Sequence, residues 1–260
     1  MIDGRDYIWS YSRLSTYEQC PYQWYLNYIE NRNGETNWYA QNGSAVHETL
    51  EKVANKEIEI EDAGEYYLDL TQYCSEYIKE STREKTENQC LDFFAEYDYE
   101  LFNDYDIVGV EEHITFSVGD YKFHGYIDLH LCDKEGNHII VDYKSASGTL
   151  KKNGEPKKQS EDTWRGYKKQ ALLYSIGIKQ KYGVYPKTLR WLLFRDQQVV
   201  VKEFNIKECE EVRNWVLELI NKIESDEEFL PQKSYIMCNQ LCNFRNSCEY
   251  RFDEEDEEDE

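Results

Sequence analysis

Ile139-Ile140-Val141-Asp142-Tyr143-Lys144 is a short apolar run that ends in an acid and a base two residues apart. Upstream, Tyr126-Ile127-Asp128 ends an apolar segment on an acid in the same way. Short β-branched runs bounded by turn signals read as strands. Side chains alternate faces along a strand, so Asp142 and Lys144 share one. On neighbouring antiparallel strands, Asp128 and Asp142 can converge on one cation, with the main-chain carbonyl of Tyr143 as a third oxygen. Hard cations such as Mg²⁺ and Mn²⁺ take oxygen ligands. In phosphodiester hydrolysis they polarise the phosphoryl oxygens and lower the pKa of attacking water. A lysine at the same spot orients the water or meets the developing negative charge. The pattern points to a divalent-metal phosphodiesterase.

Working outward, 107–118, 122–132 and 138–143 are expected to form a three-stranded antiparallel meander. Gly119-Asp120 and Glu135-Gly136-Asn137 supply its turns. On the N-terminal side, helical spacing predicts helices over 15–28 and 43–53 and a largely helical stretch over 62–105, with Tyr66, Leu70, Tyr73 and Tyr77 on one face. On the C-terminal side follow a polar loop 145–162, an amphipathic helix 163–182, a hairpin of 189–194 with 198–204, and a helix 207–225. This order predicts an α+β (α/β layered) core with a helical N-terminal insertion and a Cys-rich C-terminal coil.

The chain has 260 residues and a formal charge of −22, which at long range repels nucleic acid. Lys144 to Lys181 runs against this, with ten Lys/Arg (Lys144, Lys151, Lys152, Lys157, Lys158, Arg165, Lys168, Lys169, Lys179, Lys181) and three acids. That segment is therefore +7 and the remainder −29. Residues 253–260 are all acidic and are expected to be a disordered tail that solubilises the chain or engages a basic protein partner. No stretch has the length and apolarity of a membrane span. Met1-Ile2-Asp3-Gly4-Arg5 does not read as a secretory leader, so a cytoplasmic protein of a bacterial or virus-infected cell is expected.

In such a compartment cysteines stay reduced, which turns attention to metal ligation. Cys20 near the start and Cys238, Cys242 and Cys248 near the end form a set of four soft ligands. They suit a [4Fe–4S] cluster or a structural Zn²⁺, and spacing does not separate the two. Cys74, Cys90, Cys132 and Cys209 are scattered among apolar positions and are expected in the core.

These residues together resemble the PD-(D/E)XK nucleases, in particular their RecB-like branch. The likeness is carried by Gly125-Tyr126-Ile127-Asp128, by Ile140-Val141-Asp142-Tyr143-Lys144, and by Gln170 and Tyr174 one helical turn apart. Tyr11 to Pro21 is similar to that branch's first cysteine motif, and Gly43-Ser44-Ala45-Val46-His47 to its helical Gly…His motif. The cysteines complete the set of its iron–sulfur subgroup, which includes nuclease domains of recombination helicase–nucleases and CRISPR-associated exonucleases.

The resemblance implies a restriction-endonuclease-like core with a central mixed sheet. One nuclease domain would span 1–252, divided into a helical region over 1–105, a core over 106–205, and a helix with cysteine clip over 206–252. His47, Asp128, Asp142 and the Tyr143 carbonyl would hold the Mg²⁺ or Mn²⁺. Lys144 would act on the water, and Gln170 and Tyr174 would position DNA or Lys144. Glu112 is the expected supporting acid, whereas His113, His124, His130 and His138 are expected to be structural. The implied activity is a DNA exonuclease acting on ends or single strands, with a [4Fe–4S] cluster. Its DNA contacts would be Lys151, Lys152, Lys157, Lys158, Arg165 and Lys168; among the many aromatics Trp164 is a candidate stacking platform, while most are expected in the core. The alternative is a non-catalytic acidic adaptor, or a subunit of a helicase–nuclease or integration complex. One departure stands out: Cys238 and Cys242 enclose three residues where the family usually has two.

Overall fold

The computed structural model describes residues 2–74, 78–97 and 99–251. Tyr77 and the acidic tail 253–260 lie outside the described residues. In chain order the elements are β1 (Ile8–Trp9), α1 (Tyr11–Gln19), α2 (Pro21–Tyr28), α3 (Trp38–Ala54), α4 (Ala63–Thr71), α5 (Glu80–Glu96) and α6 (Glu100–Asn103). There follow β2 (Asp106–Val118), β3 (Tyr121–Cys132), β4 (His138–Lys144), α7 (Glu161–Tyr182), β5 (Thr188–Leu193), β6 (Gln198–Glu203) and α8 (Ile206–Ser225).

The strands form one mixed sheet. The antiparallel meander β2–β3–β4 is present as expected. β4 then pairs parallel with β5 through the α7 crossover, and β6 returns antiparallel to β5. β4 is buried from Ile139 to Tyr143 because it is central. Ile139, Val141 and Tyr143 enter one core cluster and Ile140 the other. Helices α1, α2, α7 and α8 cover the first cluster and α3, α4 and α5 the second, so the sheet lies between two helical layers. Among the described residues, no helix is long and apolar enough to cross a membrane.

The structure departs from the sequence-based expectation at three places. The helix expected over 15–28 is two helices, because Pro21 lacks an N–H and can only open a helix. Cys20 makes the corner and its sulfur accepts the N–H of Gln23 at 3.5 Å. Residues 62–105 break between α4 and α5 and again at Tyr97, whose backbone is extended. β1 was not foreseen; it pairs parallel with Lys122 and Phe123 of β3.

That last pairing shapes the site. β2 runs along one whole edge of β3. The other edge is shared by β1 at Lys122–Phe123 and β4 at Leu129–Cys132. Between them, residues 124–128 of β3 have no strand partner on that edge among the described residues, and there the sheet opens.

Candidate active site

The β3–β4 ladder ends at Leu129–Val141. One step further Asp128 substitutes a side chain for the missing ladder bond: its Oδ2 accepts the Tyr143 N–H at 2.6 Å. Asp142 projects into the same notch. Its Oδ2 is 2.7 Å from Lys144 Nζ, yet no aligned hydrogen bond reaches that buried oxygen. Lys144 Nζ also donates to Gln170 Oε1 at 2.9 Å and lies 4.6 Å from the centre of the Tyr167 ring. Gln170 is on α7, and Tyr174 follows one helical turn on. The Tyr174 ring lies so close to β3 that a Cβ at Gly125 would stand 2.5 Å from Cε1. Only glycine fits there, which explains its place ahead of Asp128.

His47 reaches the notch from α3, whose N-terminus is capped by Asn37 Oδ1 accepting the Ala40 N–H at 2.9 Å. Its Nδ1 is 3.7 Å from Asp128 Oδ1 and 3.8 Å from Glu111 Oε1. The ring meets Tyr143 edge-on, with centroids 5.5 Å apart. One ligand atom each of His47, Glu111 and Asp128 lies within 4.8 Å of the other two, and Asp142 stands outside this group.

The electrostatics are those of a site short of positive charge. Burial pushes the Asp142 carboxyl well above the usual carboxylate range; Asp128 adds to this, while Lys144 and His47 oppose it. Burial works against protonated His47, but Asp128, Glu111 and Asp142 outweigh it and its pKa is raised. Carboxylates clustered with an imidazole, their ligand atoms within 4.8 Å of one another, fit a divalent cation, which would supply the charge they lack.

A family model for the PD-(D/E)XK nuclease superfamily matches residues 8–249. The chain belongs to that superfamily. Among solved structures, this nuclease is similar to a crystal structure from Eubacterium rectale that bears the provisional name of exonuclease. The two share 13% identity and a TM-score of 0.56, covering 97% of this chain and 92% of that one, a likeness of fold. No curated protein matches the chain.

In this nuclease the four clip cysteines line a single cavity together with Leu26 and Phe244. Main-chain N–H groups of Gln23, Ser234 and Phe244 donate to the sulfurs of Cys20, Cys238 and Cys242. Burial pushes the Cys242 thiol up to about 11, and the other three cysteines add to the shift. The extra residue between Cys238 and Cys242 is taken up as a π-helical turn, Met237–Leu241, in which the Cys242 N–H bonds to the Met237 carbonyl at 2.7 Å. Such a turn inserts one residue without disturbing its neighbours. Of the remaining cysteines, Cys90 and Cys209 are in the core as expected, but Cys74 and Cys132 are only partly buried.

The basic island is less available to a ligand than its sequence suggests. Lys168 is held by Glu208, Lys169 by Glu18 and Lys181 by Glu112. Lys151 pairs with Glu155, Lys157 donates to the Gly148 carbonyl, and Arg165 pairs with Asp162. Lys152 and Lys158 are exposed. Trp164 is buried against Trp191 and is no stacking platform. Instead Tyr11, Tyr167, Arg165 and Lys169 line a cleft that runs from Lys144 to Met237 of the cysteine segment.

Glu112 is not the supporting acid. It turns to the other end of α7, where it bonds His130, Tyr182 and Lys181. His130 in turn meets His138 at 2.8 Å, so both are structural as expected. The acid at the notch is Glu111. The one sequence signal for it is the Glu111-Glu112 pair itself, since consecutive strand residues face opposite ways.

Proposed function

We propose that this nuclease is an Mg²⁺- or Mn²⁺-dependent DNA exonuclease acting on DNA ends or single strands, with a [4Fe–4S] cluster on Cys20, Cys238, Cys242 and Cys248. The observation that supports it best is the meeting of Asp128, Asp142, His47 and Lys144 where the sheet opens. His47, Asp128, Asp142 and the Tyr143 carbonyl would hold the cation. When bound, it would polarise the scissile phosphate and make water a nucleophile at neutral pH.

The chain's own groups do the rest. Gln170 and Asp142 fix Lys144, so its ammonium is already oriented when a phosphate arrives. One turn along α7 from Gln170, the Tyr174 ring packs on β3 at Gly125. The cleft offers the flat rings of Tyr11 and Tyr167 with Arg165 beside them, a combination suited to unpaired bases and their phosphates. Lys151, Lys152, Lys157 and Lys158, on the loop after β4, would add local phosphate contacts against the overall negative charge.

For the cluster, the backbone N–H donors to the sulfurs of Cys20, Cys238 and Cys242 support a group that leaves them electron-rich. No three of those sulfurs, all on described residues, lie within 4.8 Å of one another. A single zinc at about 2.3 Å from each would need them about 3.8 Å apart. A cluster, with an iron at each thiolate, spans more.

The test is cleavage of end-labelled single-stranded DNA with Mn²⁺ by wild type, Asp142→Ala and Lys144→Ala, with iron and sulfide measured on all three. Wild-type cleavage that both variants lose at unchanged iron content is expected. Undiminished cleavage by Asp142→Ala would exclude this site.

A further inference from the structure

We infer that Glu111 is a direct ligand of the catalytic cation, forming with His47 and Asp128 a preformed half of its shell that faces a second cleft, lined by His47, Glu51, Glu111, Tyr126 and Ser145. This rests on the metal-dependent reading above and adds a residue to it.

The spacing of the three side chains suits a cation. His47 Nδ1 stands 3.7 Å from Asp128 Oδ1 and 3.8 Å from Glu111 Oε1, with one oxygen of each acid within 4.8 Å. The centre of such a triangle is about 2.1–2.4 Å from its corners, which is the reach of a hard or borderline divalent cation. Asp128 is divided between two tasks. Its Oδ2 is committed to the Tyr143 N–H, which leaves Oδ1 for the His47–Glu111 side. Independently of the triangle, Asp142, only 7% exposed, brings a third carboxylate into the same notch, and there Lys144 alone stands beside it at 2.7 Å. Three carboxylates gathered around one ammonium and one imidazole leave room for a further positive charge.

The backbone is shaped to deliver Glu111. Val110 pairs with Leu129 and Glu112 with Ile127, so Glu111 lies opposite Asp128 without entering the ladder. Its φ is +46°, a left-handed conformation inside a β-strand. A non-glycine residue there costs about 1–3 kcal/mol. Across from it β3 changes sides: Ile127 packs in the first core cluster and Leu129 in the second, where simple alternation would keep them together. Both strands are thus irregular at the residues whose carboxylates meet. Glu111 and His47 also line the wall of the cleft, so a cation held there would be reached from solvent past Ser145.

The ligand mix has a chemical consequence. An imidazole among carboxylates favours Mn²⁺ over Mg²⁺, because nitrogen donors gain more from the later metal.

The experiment is Mn²⁺ binding to the full chain, followed by calorimetry and by the loss of the free-ion electron paramagnetic resonance signal. Wild type, Asp128→Asn, Glu111→Gln, Glu111→Gly and Glu51→Gln are compared, and circular dichroism confirms folding. Glycine tolerates the positive φ, so Glu111→Gly should melt higher than wild type without metal. Both Glu111 variants should bind Mn²⁺ roughly tenfold or more weakly, as loss of a charged ligand requires. Glu51→Gln, in the same cleft but outside the triangle, should bind within about twofold of wild type. Binding lost in Asp128→Asn but unchanged in both Glu111 variants would overturn the inference and reduce Glu111 to an ion partner of His47. Absence of Mn²⁺ binding by wild type would instead overturn the metal-dependent reading beneath it.

Discussion

Gly125→Ala is the sharpest structural test of how the notch is built. The new methyl would lie 2.5 Å from Tyr174 Cε1 and 2.8 Å from Cζ. Carbon contacts relax near 3.5 Å, so the ring must withdraw by about 1 Å. Overpacking of this kind costs about 1–3 kcal/mol. Replacing a strand glycine returns about 0.5–1 kcal/mol in chain entropy, which leaves a net loss of roughly 1–2 kcal/mol. For a chain of this size that is a Tm lowered by roughly 2–8 °C. Activity should fall further than stability, because a Tyr174 ring pushed off Gly125 shifts the turn of α7 that carries Gln170, and Gln170 orients Lys144. Differential scanning calorimetry of Gly125→Ala, Tyr174→Ala and the double variant isolates the cause. If the ring is what the methyl strikes, Gly125→Ala should cost nothing measurable once Tyr174 is alanine. An equal loss in both backgrounds, or an unchanged Tm in the single variant, would refute the reasoning.

Two further predictions concern the cysteine end of the molecule. Cys20→Ala and Cys248→Ala should give colourless protein of low solubility, read by visible absorbance and iron content; a retained cluster spectrum would contradict the assignment of ligands. Asp226 is held below the usual carboxylate range. Burial raises its pKa, but the Tyr17 hydroxyl and the N–H groups of Phe229 and Glu228 outweigh it. A folded-state pKa below the unfolded one gives stability that is present above about pH 4 and fades as pH falls through the folded value. Tyr17→Phe should therefore lose about 1 kcal/mol at pH 7, and the gap should close in acid; urea titrations showing a pH-independent gap would sink this account.

What the sequence disclosed was governed by how local each feature is. β4 was legible because a central strand must be apolar on both faces, and Asp142 and Lys144 interrupt that run conspicuously. α7 was legible from its amphipathic spacing, and Gln170 and Tyr174 came with it. β1 escaped notice because two residues, Ile8 and Trp9, carry no periodicity; their pairing exists only once β3 is in place. Glu111 escaped for a different reason. Alternation alone offers Glu111 and Glu112 as equal candidates, and the choice is made by a positive φ that depends on packing across β3. The basic island misled to a degree, because lysines that look free in sequence are claimed by distant acids such as Glu208 and Glu18.

The corner at Cys20 has a consequence for biosynthesis. Its sulfur waits for partners more than two hundred positions downstream, at 238, 242 and 248. The proposed cluster would be installed only after residue 248 leaves the ribosome. Until then α1 and α2 present to the cell Tyr17 and Trp24, rings that in the finished molecule meet Phe229 edge-on and face-on respectively. With the proposed cluster, such a nascent chain would need chaperone cover early and iron and sulfide late, and starvation for iron would leave it stranded at its last step.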